Sequence, residues 1–390
     1  MPLKKNKNSE EISCGCEIAD LLENSNENKQ ILNKLSSSQD NIVIDPDVEK
    51  LSYDFYSKKL TDGLPIIPPT QDRVNKFYDF TDLCGDEVVA TLPPRQGLAT
   101  VEKIAINSVM AGCMPSYMPF IQNAVKSISM DKFNLPSINA TTHPVAVAII
   151  INGTLSREIG INNSVGCLGP GNIANATIGR ALRLILINIA GAVPGIGDMS
   201  TMGSPAKYSF CFAEAEEQSP WDPLHVERGI ARDINSTTVM AVDSPHNVND
   251  HRSKTAENLL ESIIHTSAVS GCNNSHVPGE LLILMGPEHA NMIASEGWSK
   301  NDVQEYVHKN LYVPAHLGDR GGRKLDETWI NEGQVKLTRK PEDVVLVVVG
   351  GAGRHTMICH GFGTSSESVT EEITFSDGKP VLSLNDFKNL

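Results

Sequence analysis

The chain has 390 residues, 40% of them hydrophobic but only 5% aromatic, which is enough for one large or two medium domains with an aliphatic core. Its 33 basic and 47 acidic residues give a net charge of −14, with Lys and Arg scattered, which argues against a nucleic-acid binder built on a basic face. The eight cysteines are dispersed as in a reduced protein, and no apolar stretch follows the lysine-rich N-terminus, so a soluble cytoplasmic protein without a secretory signal is expected.

Residues 1–45 are rich in Asn, Ser, Lys and Glu and read as a disordered or loosely attached arm, interrupted by Cys14-Gly-Cys16. A helix is expected to open at Pro46 and to end before Thr61, followed by a rigid Pro-rich loop over 61–70 and a short helix over 71–77. Helices follow over 99–113, where Gly112 is placed as a C-cap, and over 118–130. The run 144–153 reads as a buried strand. The Asn/Gly/Pro loop 162–175 leads into a long apolar helix over 176–190, and the stretch 181–193 contains Arg183 and Asn188, so it reads as core rather than a membrane span. After an irregular middle, strands at 238–242, 280–285 and 343–349 alternate with helices near 254–269, 287–296 and 301–309. This alternation predicts a single large α/β domain over 46–390, with a mixed, partly parallel sheet flanked by helices. Two lobes, about 46–235 and 236–390, are compatible with it.

Three apolar runs end in turns that deliver a histidine: Thr238-Val-Met-Ala-Val-Asp-Ser-Pro-His246, Leu281-Leu-Ile-Leu-Met-Gly-Pro-Glu-His289 and Val344-Val-Leu-Val-Val-Val-Gly-Gly-Ala-Gly-Arg-His355. Ligands in open α/β sheets bind beyond the carboxyl ends of the strands. If the three strands run parallel, His246, His289 and His355 converge on one rim, with Glu288 and His251 beside them. Imidazole titrates near neutral pH and is a common metal ligand, so acid/base catalysis or a bound Zn, Fe or Mn ion is expected. The metal set would be His246, His251, His289 and Glu214. Taken singly, each histidine would do no more than satisfy a loop or helix end, and no HxH or HExxH spacing is present.

The glycine loop after the last strand, with Gly351, Gly353 and Arg354, is expected to hold an anionic group of a small substrate, assisted by Asn172 and Asn175. Cys167, in the loop before a helix, and Cys113, at a helix end, are the candidate nucleophilic or redox thiols. Glu214, Glu216 and Glu217 cluster near His225 and offer a second acid/base group. His143, in Thr141-Thr-His-Pro144, would lie at the opposite strand end and reads as structural.

Several stretches resemble the larger module of the UGSC-type (seleno)protein family: Asp62-Gly-Leu-Pro-Ile-Ile-Pro-Pro-Thr70, the helix 99–113, Ala140-Thr-Thr-His-Pro144, Ala174-Asn-Ala-Thr-Ile-Gly-Arg-Ala-Leu-Arg183, Trp221-Asp-Pro-Leu-His-Val-Glu-Arg228 and Pro245-His-Asn-Val-Asn-Asp-His251. The resemblance spans about residues 50–375. That family is named for a Sec/Cys-Gly-Ser-Cys motif in a separate small domain, and this chain carries no such motif. The resemblance implies a soluble prokaryotic α/β module kept in redox company, and it assigns no catalytic residue. The expectation is therefore an enzyme for a small polar or anionic molecule, metal-assisted, acid/base or thiol-dependent. The alternative is a non-catalytic module that docks a thiol or selenol redox protein, with Cys14 and Cys16 as an exchange point. A homo-oligomer is compatible with either.

Overall fold

The computed structural model describes residues 10–12, 42–44, 48–318 and 325–389, so Cys14 and Cys16 lie outside the described residues. Glu10–Ile12 pairs antiparallel with Ile42–Ile44. The chain is a mixed α/β protein with parallel and antiparallel pairs in its sheets.

Two four-stranded sheets form its centre. The first contains β1 (Ala146–Asn152), β2 (Cys211–Ala213) and β3 (Ser236–Val242). The second contains β4 (His246–Asn249), β5 (Leu281–Met285), β6 (Val344–Val348) and β7 (His355–His360). The last strand, β8 (Val369–Glu372), returns to the first sheet. The strand orders are β2-β1-β3-β8 and β6-β5-β7-β4. In each, the first pair is parallel and the other two are antiparallel.

The two sheets therefore share one topology, with their fourth strands exchanged. β4 follows β3 but pairs with β7, and β8 follows β7 but pairs with β3. The crossing point is a local two-fold: Val242 bridges Gly361, Asp243 N donates to His360 O at 2.8 Å, and Phe362 N donates to Ala241 O at 3.1 Å. Pro245 has no N–H to continue a ladder, and the chain leaves the first sheet there. Gly361 is required at the crossing, because a Cβ would lie 2.3 Å from Glu280 O.

Side-chain alternation along the strands builds three cores. Ala146, Ala148 and Ile150 of β1 face Leu282 and Leu284 of β5 and Val345 and Val347 of β6, so the sheets pack face to face. The opposite faces take helices. Ile149, Ile151, Val239 and Ala241 pack against α1 (Val101–Ala111), α2 (Met118–Ile128) and α3 (Ile173–Ile185). Leu281, Ile283, Leu346 and Val348 pack against α4 (Ala256–Ser267), α5 (Pro287–Ser295) and α6 (Lys300–Asn310). The result is four layers, helix–sheet–sheet–helix. Burial on both faces explains why β1, β5 and β6 read as unbroken apolar runs, and each buried Val, Leu or Ile stabilises this sandwich by about 1.5–3 kcal/mol.

The helix caps follow the local sequence. Thr100 accepts from Lys103 N to open α1, and Gly112 closes it with φ 88°. Asn172 caps α3, which continues into the wider turn Leu186–Ala190. Residues Ile173–Ala190 are long and apolar enough to cross a membrane by length and composition, but 72% of that stretch is buried, and α3 packs on α1.

Candidate functional site

The parallel pairs of both sheets end together. Ala215 N donates to Val348 O, Gly350 N to Asn163 O, and Asn163 Nδ2 to Glu214 O. The strand crossing marks the opposite end. Polar groups gather at both ends, and they divide the expected site residues between them.

At the carboxyl end, His251, His289 and His355 lie close together, with Glu288 beside them. His289 is fully buried: Nε2 donates to Asp250 O at 3.0 Å, so Nδ1 accepts from the Thr356 hydroxyl at 2.8 Å. Burial lowers its pKa and favours this neutral tautomer, against the opposing pull of the Asp250 carbonyl. With both nitrogens engaged, His289 is a strut rather than a catalyst. His251 and His355 are exposed, their Nε2 atoms 3.4 Å apart.

His246 does not join them, which corrects the convergence expected from the sequence. β3 runs antiparallel to β1, so its carboxyl end points to the strand crossing. His246 then opens β4 at that end, and β4 carries the chain back to deliver His251 to the rim. Glu214 is elsewhere too, on the first sheet. Of the four residues expected to share a metal only His251 and His289 are thus neighbours, and among the described residues no group of three or more His, Cys, Asp or Glu is placed to hold a metal ion.

The anion-binding loop is also corrected. Gly353 N already donates to Glu288 Oε1 at 2.8 Å, and a Cβ on Gly351 would meet Val165 Cγ2 at 2.2 Å, so the loop is packed and its amide is used. Arg354 donates to His251 O and, at 2.7 Å, to Ser253 O, which ties down the turn carrying His251. Asn172 caps α3, and the buried Asn175 bonds Asn162 and the carbonyl of Cys167; both asparagines hold the 160–167 loop.

The thiols are quiet. Cys167 does not sit at a helix N-terminus; it is buried between the sheets, and burial pushes its pKa up to about 11. Cys113 donates to Thr177 O at 3.2 Å, and burial pushes it up to about 12. A thiol kept protonated is a poor nucleophile.

Glu214 belongs to a buried network at the end of the first sheet. Its Oε2 accepts from Asn152 Nδ2 at 2.7 Å and Leu224 N at 2.9 Å. Glu216 Oε1 accepts from the same amide at 3.0 Å and from Gly153 N at 2.7 Å. Burial raises the Glu214 pKa, and Lys300 opposes that only in part. His225 is fully buried beside them, and burial lowers its pKa. A small cavity of about 20 Å³ at Asp198 is roofed by Arg183 and Lys207, whose charges already pair with that aspartate.

A wide groove opens at the strand crossing. Its volume is about 1020 Å³, and it is lined by His143, Asn273, His276, Trp329, Phe362 and threonines 141 and 142. His143 precedes β1 and Asp243 follows β3, and the antiparallel register Ala146↔Val242 brings them together. His143 Nε2 lies 3.0 Å from Asp243 Oδ1. That contact is off the axis of a linear hydrogen bond, since Asp243 Oδ1 has no hydrogen-bond partner among the described residues. His143 Nδ1, His276 Nδ1 and Ser244 Oγ likewise have no partner among the described residues, although each is shielded from solvent. His360 donates to Ser267 O at 2.8 Å close by, and burial lowers its pKa. From the sequence His143 is expected at this end, in a structural role only. The signal for more was there: a histidine just before one apolar run and an aspartate just after another are neighbours if the runs pair antiparallel.

No known protein family, curated protein or solved structure matches this chain.

Proposed function

We propose that this protein is an enzyme that moves a proton on a small polar molecule bound in the groove at the strand crossing, with His143 as the acid/base group. The single observation that carries this is the contact of His143, which lines the groove, with Asp243 beside it, the histidine's Nδ1 being left unpartnered among the described residues. Buried polar atoms are normally paired, and unpaired ones clustered at a cavity suit a ligand. A carboxylate beside one ring nitrogen orients the imidazole, and the other nitrogen, Nδ1, exchanges a proton with substrate once ligand binding uncovers it. Hydrogen bonds of this kind are often loose before substrate binds. His276 and Asn273 supply polar contacts, and Phe362, whose ring centroid lies 6.0 Å from that of His143, supplies an apolar wall.

The test is turnover. Purified protein is incubated with a defined mixture of carboxylates, amides, amino acids and sugars, and mass spectrometry follows which compound is consumed. His143→Ala and Asp243→Asn should each lower that turnover by about 10²–10⁴-fold, while Asp243→Asn still binds the compound in a thermal-shift assay. A conversion that survives His143→Ala at the full rate removes the proposal.

A further inference from the structure

We propose that His251 and His355, at the end of the molecule opposite the groove, form a two-histidine site for a borderline divalent transition metal such as Zn²⁺ or Ni²⁺. The inference does not rest on the function proposed above, and neither residue touches the groove.

Tautomer comes first. Asn247 and Met357 are register partners across β4 and β7, as are Asn249 and His355. Asn247 and His355 are thus diagonal neighbours on one face. His355 Nδ1 lies 3.0 Å from Asn247 Oδ1, an acceptor only, so Nδ1 carries the proton and Nε2 presents its lone pair. A metal-binding histidine has this arrangement: the remote nitrogen donates to an oxygen, and the near one ligates.

The spacing agrees. The two Nε2 atoms are 3.4 Å apart, and the rings meet edge to face at 82°. Two imidazole nitrogens about 2.0–2.1 Å from one tetrahedral ion are separated by about 3.3–3.4 Å. A direct hydrogen bond would prefer about 2.9–3.0 Å. The pair is therefore spaced for a shared ion better than for a bond to each other. Both rings are exposed, so an ion can reach them and solvent can complete its coordination.

The support is rigid. His251 sits on the turn after β4. The Asp250 carboxylate accepts from Arg252 N, Ser253 N, Ser253 Oγ and Ser262 Oγ, which fastens that turn to α4. Arg354 grips the carbonyls of His251 and Ser253, and His289 donates to the carbonyl of Asp250. Arg354 and His289, expected from the sequence to do chemistry, instead position His251. Nitrogen donors select Zn²⁺, Ni²⁺ or Cu²⁺ over Mg²⁺ and Ca²⁺, which prefer oxygen.

The experiment is calorimetric titration of the full chain with ZnCl₂ and NiCl₂, with MgCl₂ as control, on the unaltered protein and on His251→Ala, His355→Ala, Asn247→Ala and His246→Ala. The proposal expects a Zn²⁺ event that weakens at least about tenfold on losing either ring, weakens about 10–100-fold with Asn247→Ala, and is unchanged in His246→Ala. Because both rings are exposed, the variants should keep the thermal unfolding midpoint of the unaltered protein, which separates loss of ligation from loss of fold. Zn²⁺ binding that persists unweakened in the His251→Ala/His355→Ala double variant, or no Zn²⁺ event below about millimolar concentration, overturns the proposal.

Discussion

Glu214→Gln should stabilise this protein, and the gain should grow with pH. Glu214 is 3% exposed, and burial raises its pKa above the ordinary carboxyl value. An unfolded glutamate ionises near pH 4.3. Between that pH and its raised folded value, the folded state holds a proton that the unfolded state has released. The unfolded state then binds fewer protons, so stability falls as pH rises, by up to about 1.4 kcal/mol per pH unit. Once the folded carboxyl ionises as well, the loss becomes constant. Glutamine cannot ionise, and its amide oxygen can still accept from Asn152 Nδ2 and Leu224 N, the two donors that Oε2 serves. The variant should therefore match the unaltered protein at about pH 4.5 and exceed it increasingly towards neutrality. Urea unfolding followed by circular dichroism at four pH values reads the difference, in which other titrating groups cancel. Glu214→Ala is the control: it strips Leu224 N of its acceptor, leaves Asn152 Nδ2 only Glu216, and should cost about 1–3 kcal/mol, with no alanine carboxyl to titrate. A gap between glutamine variant and parent that is flat with pH, or a glutamine variant less stable throughout, would mean that the buried Glu214 carboxyl does not hold its proton above the unfolded pKa.

Two further outcomes test the fold and the thiols. Gly361→Ala should destabilise the strand crossing by about 1–3 kcal/mol, because the new methyl meets the Glu280 carbonyl at 2.3 Å; an unfolding midpoint equal to the parent's would mean that the crossing is looser than described. Iodoacetamide at pH 8, mapped by mass spectrometry, should modify the exposed Cys84 well before Cys113 and Cys167, whose thiolate fractions at pKa values of about 12 and 11 are on the order of 10⁻³ or less. Labelling of Cys167 as fast as Cys84 would restore the thiol branch of the chemistry.

Much of the framework was legible in the chain. Runs such as Leu281–Met285 and Val344–Val348 are buried on both faces, so nothing but apolar residues occupies them, and their position is plain. Val101–Ala111 is marked by Thr100 at one end and Gly112 at the other. The strands of the two central sheets that went unread are β2, β4, β7 and β8. His246–Asn249 exposes three of its four side chains, and Val369–Glu372 is polar along most of its length, so neither carries a hydrophobic signature. Their omission mattered, because they decide which sheet each half of the chain completes. The rim suffered for the same reason. His251 and His355 do meet there, but His246 was placed with them on the assumption that Thr238–Val242 runs parallel to its neighbours. Val and Ile bury equally well in either direction, and nothing in their side chains records which way a strand points.

Composition and periodicity alone showed that this protein is mixed α/β, where most of its long helices lie to within a few residues, and which strands lie deepest, because burial, capping and turn formation act within a few neighbouring residues. The exchange of edge strands, the meeting of His143 with Asp243, and the separation of His246 from His251 were decided only by the tertiary structure. Those contacts join residues far apart along the chain, and they depend on strand direction and sheet order, which arise when the two sheets close on one another.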